Sequence, residues 1–236
     1  MKKTLGILVL LFLVTAYTQA QTADEIAQKY VTAIGGAAKW QALKSRKMNI
    51  TMFSSGVQLP GVVYEDSKNR QKVELTFQGV KIIQAYDGTT AWAQSPPQGM
   101  PQPTKLTGAQ AEEMVNSEFL NEFVNYKNRG IKLDLKGEEE LAGKKYWRID
   151  LTSSKGKVTK YYFDMETYLV AASTEMSASI GQETTSFLSD YKEYGGIKIP
   201  SKITVKLGTM EIQSVQVNGV ELNVEMPDSL FAFPGN

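Results

Sequence analysis

The chain has 236 residues, with 26 Lys and Arg against 25 Asp and Glu, and neither histidine nor cysteine. Without those two residue types there is no Cys/His zinc site, thiol nucleophile, disulfide framework or histidine-dependent triad, so any catalysis would rest on carboxylate, lysine, tyrosine or serine groups. A formal net charge of +1 gives no basic footprint for nucleic acid, and 42% hydrophobic with 22% charged residues is a globular balance.

The first twenty residues read as a secretory signal peptide. Lys2 and Lys3 open it, Leu5 to Ala16 is almost wholly apolar, and Thr18 and Ala20 place small residues at the -3 and -1 positions of a cleavage site after Ala20. The apolar run is about a dozen residues, short of the roughly 20 needed to span a bilayer. Residues 21–236 are therefore expected as one exported periplasmic domain, soluble and monomeric.

Helices open the mature chain. Thr22-Ala23-Asp24-Glu25 has capping-box spacing, and Ile26, Ala27, Tyr30, Val31 and Ile34 recur on one face before Gly35-Gly36 ends the helix. A short helix from Ala37 to Leu43 carries Trp40. Period-two alternation follows, with Met48, Ile50 and Met52, then Val73, Leu75 and Phe77, each separated by polar residues. Asp87-Gly88 reads as a turn, and four prolines between Ser95 and Pro103 predict a long loop. A third helix is expected from about Thr107 to about Tyr126, apolar on several sides through Met114, Val115, Phe119, Leu120, Phe123 and Val124.

Alternation then resumes in Ile131, Leu133 and Leu135, in Trp147, Ile149 and Leu151, and in Ile203, Val205 and Leu207. Ser154-Lys155-Gly156, Gly195-Gly196 and Asn218-Gly219 supply turn signals. The fold class is mainly β (α+β), an antiparallel meander of about eleven or twelve strands, each apolar on one face only. So many strands rarely stay flat, and a curled sheet would place the helices over its concave apolar face. The pattern leaves open whether that face encloses a cavity or packs solidly.

Several stretches resemble a known family. Asp87-Gly88-Thr89-Thr90-Ala91-Trp92, Phe163-Asp164-Met165-Glu166-Thr167-Tyr168-Leu169-Val170, Asp190-Tyr191-Lys192-Glu193-Tyr194-Gly195-Gly196-Ile197-Lys198-Ile199-Pro200 and Met226-Pro227-Asp228-Ser229-Leu230-Phe231-Ala232-Phe233-Pro234 are similar to recurring phrases of the outer-membrane lipoprotein carriers and lipoprotein-sorting proteins, the LolA/LppX-like superfamily. The resemblance covers essentially the whole mature chain. It implies an incomplete barrel, lidded by helices, that shields lipoprotein acyl chains, with an inner-membrane release complex and an outer-membrane acceptor as partners and no cofactor or metal. Burying a methylene is worth roughly 0.8 kcal/mol, so an acyl chain of ~16 carbons represents on the order of 12 kcal/mol of exposure to water. Alternation and the resemblance together nominate Met48, Ile50, Met52, Val73, Leu75, Phe77, Trp92, Phe119, Phe123, Trp147, Ile149 and Leu151 as cavity residues. The carriers' lid-controlling arginine has its counterpart stretch at Ser67–Lys72, making Lys68 and Arg70 the lid-control candidates, although the proline that usually follows is missing.

Two other classes compete. A regulatory or sensory lipid-binding module could use the same fold. A secreted hydrolase could use two of Asp87, Asp150, Asp164, Glu166 and Asp190, because glycoside hydrolysis needs a carboxylate pair flanking the bond. Nothing in the sequence brings two of these acids together, and turn or outward strand positions account for them.

Overall fold

The structure is a computed structural model that describes residues 21–235. The expected signal peptide, residues 1–20, lies outside the described residues.

Two meanders build one sheet. The first comprises β1 (Ser45–Ser54), β2 (Val57–Asp66), β3 (Gln71–Phe77), β4 (Val80–Tyr86), β5 (Ala91–Ser95) and β6 (Met100–Lys105). The second comprises β7 (Lys132–Leu141), β8 (Lys144–Thr152), β9 (Val158–Asp164), β10 (Val170–Ser177), β11 (Gln182–Tyr194), β12 (Ile197–Leu207) and β13 (Met210–Leu222). Antiparallel pairing of β1 with β13 fuses them into a 13-stranded sheet, ordered β6-β5-β4-β3-β2-β1-β13-β12-β11-β10-β9-β8-β7. The sheet stays open, with β6 and β7 as its edges. Both edges carry features that discourage further pairing: Pro101 and Pro103 lie in β6, and β7 exposes Lys132, Asp134, Lys136, Glu138 and Glu140 in alternation.

Three elements depart from the sequence expectation, each for a physical reason. The proline-rich stretch is not wholly a loop: after a 3-10 turn at Pro96–Gln98 it forms β6, which pairs Thr104 with Ala93 and Lys105 with Trp92. Proline is tolerated there because an edge strand leaves half of its amides without a strand partner. Asn218-Gly219 is no turn but a bulge inside β13, where Asn49 pairs with Gly219 and Ile50 already pairs with Val217. The third helix, α3, spans only Gly108–Asn116, and Ser117 is extended. Residues 106–131 must carry the chain from one sheet edge to the other, and extended backbone covers more than twice the distance per residue of a helix.

Two earlier helices, α1 (Ala23–Ala33) and α2 (Ala37–Ala42), lead into β1 at the middle of the sheet. The capping box forms as expected: Glu25 N donates to Thr22 Oγ1 at 3.2 Å and Thr22 N to Glu25 Oε2 at 2.9 Å. Their junction presses against the β11–β12 turn, where Lys198 N donates to Ile34 O at 2.9 Å. A Cβ at Gly35, whose φ is +112°, would stand 2.2 Å from Gly196 O, so only glycine fits there.

The chain ends by covering part of the outer face. Phe231 is fully buried, its carbonyl accepts from Trp92 Nε1 at 2.9 Å, and the Arg70 guanidinium lies 4.6 Å from its ring centre. Arg70 also bonds Asp66 at 2.5 Å, both side chains being 8% exposed, and Asp228 at 2.6 Å. Removing one partner of such a buried pair strands the other charge. Arg70→Met should therefore lower unfolding stability by about 3 kcal/mol in urea titrations. A loss below about 1 kcal/mol would show that the clasp contributes little.

Candidate functional site

Cross-strand register assigns the faces of the sheet. Met48, Ile50 and Met52 of β1 stand level with Val63, Gly61 and Leu59 of β2, and with Val220, Val217 and Val215 of β13. Val63 and Gly61 pair in turn with Val73 and Leu75 of β3. In the second meander Trp147, Ile149 and Leu151 of β8 face Phe163, Tyr161 and Thr159 of β9. All of these side chains point to the concave face.

The two halves of that face are filled differently. Over β7–β10 the concavity is largely filled: Ile26, Tyr30 and Trp40 from the helices and Phe119, Phe123 and Val124 from the crossing segment pack on Ile149, Leu151 and Phe163, leaving a smaller, polar pocket of about 310 Å³ by Leu151, Thr159 and Glu175. Phe123 sits at the centre, edge-to-face with Tyr161 at 4.9 Å, Phe163 at 5.2 Å and Tyr30 at 5.3 Å. Over β1–β3 and β11–β13 the face is not filled. There a cavity of about 440 Å³ is walled by Met48, Ile50, Met52, Val63, Val73, Leu188, Ile203, Val215 and Val217, reaches Tyr161, Val170 and Tyr191 toward the filled half, and is closed by Tyr30, Trp40 and Phe119.

The nominated residues divide accordingly. Met48, Ile50, Met52, Val73 and Phe119 line the cavity, and Leu75 packs with Ile50 and Val217 in the wall. Phe123, Trp147, Ile149 and Leu151 belong to the filled half. Phe77 is half-buried at the far end of β3, outside the cavity lining. Trp92, expected on the concave face, lies on the opposite one: it pairs with Ala85, whereas its neighbour Ala93 pairs with Gln84, which stands level with Val73. Phe231 and Phe233 cover it there. Lys68 and Arg70 bond Asp228, and Arg70 also bonds Asp66. Neither is bonded to α3 or to the segment after it among the described residues.

Polar side chains occupy one end of the cavity, and the sequence reading missed them. Arg46 precedes Met48 by one step of the alternation and so shares its face. It pairs with Glu65 at 2.5 Å, and its guanidinium lies 5.5 Å from the Phe119 ring and 5.9 Å from that of Trp40. Glu118, Asn121 and Glu122 reach the same end from the crossing segment. Burial pushes the Glu122 carboxyl above its ordinary value, and Glu175 adds to this; the backbone amide of Glu122, the Tyr161 hydroxyl and Arg46 oppose it. None of the five carboxylates considered for hydrolysis lines the cavity. Asp87 caps its own turn by accepting from Thr89 N and Thr90 N, Asp164 accepts from Thr167 N, and Asp150 is bonded to Arg148.

Helix α3 has no fully buried side chain and lies beside β4 and β5, held by polar contacts. Gln71 Nε2 donates to Met114 O at 2.9 Å, Ser179 N to Glu113 Oε1 at 3.0 Å, and Lys155 Nζ to Asn116 Oδ1 at 2.8 Å. These bonds tie it to β3 on one side and to the β10–β11 and β8–β9 hairpins on the other.

An open antiparallel sheet curled round an apolar cavity and roofed by helices and a crossing segment is the LolA-like fold. A LolA superfamily protein from Nitrosomonas europaea superposes with a TM-score of 0.59 at 17% identity, covering 90% of this chain and 98% of its own. A domain from Vibrio parahaemolyticus described as an outer membrane lipoprotein-sorting protein gives 0.58 at 11% identity, covering 89% and 95%. A DUF1329 family protein from Desulfovibrio piger also gives 0.58, at 13% identity, covering 89% and 97%. At such identities the likeness is one of fold. No family model matches the sequence, and no curated protein matches it.

A carboxyl whose folded pKa is raised stabilises the fold while it is protonated, and that contribution fades as pH climbs through the raised value. Glu122→Gln should leave the melting temperature unchanged at about pH 4 and raise it at about pH 8, read by circular dichroism. An equal difference at both pH values would remove this account of Glu122.

Proposed function

We propose that the protein is a periplasmic carrier that binds the acyl chain of a lipoprotein or related lipid in the concave cavity and shields it from water on the way to the outer membrane. The observation that carries this reading is the unfilled apolar half of the concavity. A solid packing like that around Phe123 would serve stability alone; here Met48, Ile50, Met52, Val63 and Val73 face space instead. A methylene occupies about the volume of a water molecule, roughly 30 Å³, so the cavity accommodates a single chain of about 15 carbons. Burying it is worth on the order of 12 kcal/mol. The fold shared with a lipoprotein-sorting domain supports the cargo class, and the expected signal peptide supports export.

In this reading α3 is the lid. A helix held by a few exposed polar bonds and no buried side chain opens at small cost, as release of so apolar a ligand requires. The methionines of β1 suit the same task, since their unbranched side chains adapt to chains of different shape. Handing cargo from an inner-membrane release complex to an outer-membrane acceptor belongs to the same proposal.

Native mass spectrometry of the protein purified gently from the periplasm should show one added acyl-bearing species, lost on denaturation. Val73→Trp places a large ring in the vacant space, so it should cut uptake of a labelled acyl peptide at least about tenfold while leaving the melting temperature unchanged or higher. A bare protein with no uptake, or undiminished uptake by the folded variant, would sink the assignment.

A further inference from the structure

We propose that the cavity takes one acyl chain carried on an amide linkage, with the amide at the Arg46–Glu65 row and the chain running beside β1 toward Met52. This rests on the cavity being a lipid site and gives that site a direction and a ligand class. The direction follows from register. Arg46 and Glu65 are cross-strand partners, and the next rows along are Met48 with Val63, Ile50 with Gly61 and Met52 with Leu59. One row is charged and three are apolar, over about 20 Å of strand at roughly 3.3 Å per residue. A chain of about 15 carbons can lie extended along them.

The ligand class follows from charge and from uncommitted hydrogen-bonding atoms. Arg46 is matched by Glu65, and Glu118 by Arg129. Glu122 adds a third carboxyl with no cation bonded to it among the described residues. The polar end therefore offers no surplus positive charge, and a carboxylate or phosphate head would sit against Glu65 and Glu122, a juxtaposition that costs binding energy. A neutral head fits.

Both Arg46 bonds to Glu65 end on Oε2, from Nε at 2.9 Å and from Nη2 at 2.5 Å. That leaves Arg46 Nη1 as a donor and Glu65 Oε1 as an acceptor, each without a partner among the described residues. An amide presents a carbonyl and an N–H one atom apart and satisfies both. An ester satisfies only the donor, and a fatty-acid anion leaves the acceptor facing another acceptor.

The test displaces a fluorescent acyl probe from the purified protein with three ligands of one chain length: N-methylpalmitamide, methyl palmitate and palmitate. The amide should bind at least about tenfold more tightly than palmitate and measurably more tightly than the ester. Glu122→Gln should improve palmitate binding by about tenfold and leave the amide within about threefold. Palmitate or the ester binding as well as the amide, or no gain for palmitate in the variant, overturns the amide assignment while leaving the cavity a lipid site. Failure of all three to displace the probe overturns the lipid site itself.

Discussion

The structure depends on one topological constraint: the two edge strands, β6 and β7, are consecutive in sequence but lie at opposite ends of a 13-stranded sheet. The chain between them has to cross the concave side. A sheet of this width curls because its strands twist, and curling brings its edges nearer without joining them. Residues 106–131 therefore form a strap over a half-closed barrel, and Phe119, Phe123 and Val124 on it turn inward. The roof is a consequence of strand order.

The same constraint explains why the concavity is half filled and half vacant. The helices precede β1 and are pinned at the Gly35–Gly196 contact, which sets Tyr30 and Trp40 over the second meander. The crossing segment brings Phe119, Phe123 and Val124 to the same place. Four aromatic rings, those of Tyr30, Phe123, Tyr161 and Phe163, then occupy that half in edge-to-face contact. Over the first meander Trp40 and Phe119 reach across without filling the space. Strands β1–β3 contribute aliphatic and methionine side chains where β9 contributes Tyr161 and Phe163, so less bulk rises from that side to fill the gap.

What the sequence made legible was whatever depends on near neighbours. The Thr22–Glu25 cap, the alternation of Met48, Ile50 and Met52, and the turn at Asp87-Gly88 are local signals, and they formed as local physics dictates. What it hid depends on distant partners. In Ala91-Trp92-Ala93 all three residues are buried, so alternation could not say which face Trp92 takes; the C-terminal segment, well over a hundred residues away, decides it. Pro101 and Pro103 looked prohibitive because nothing local marks β6 as an edge. Arg46 carries no apolar signal, although the period that marks Met48 also places Arg46 beside it. Even the end of α3 at Asn116 reflects the span to be crossed more than the helix-forming quality of the residues that follow.

The vacancy itself has an energetic consequence. An unoccupied apolar cavity costs about 24 cal/mol per Å³, so one of about 440 Å³ would cost on the order of 10 kcal/mol if it were sealed and dry. That is comparable with the whole stability of an ordinary domain. The space therefore persists for reasons other than its own favourable packing: the sheet is held by its ladder of strand pairs, and the filled half anchors the helices. An acyl chain entering this space removes the cost of the void and the cost of its own exposure together. On the proposed reading, release needs a lid that disturbs neither the ladder nor the aromatic core, and α3, bonded through Glu113, Met114 and Asn116 and with no fully buried side chain, would move with both intact.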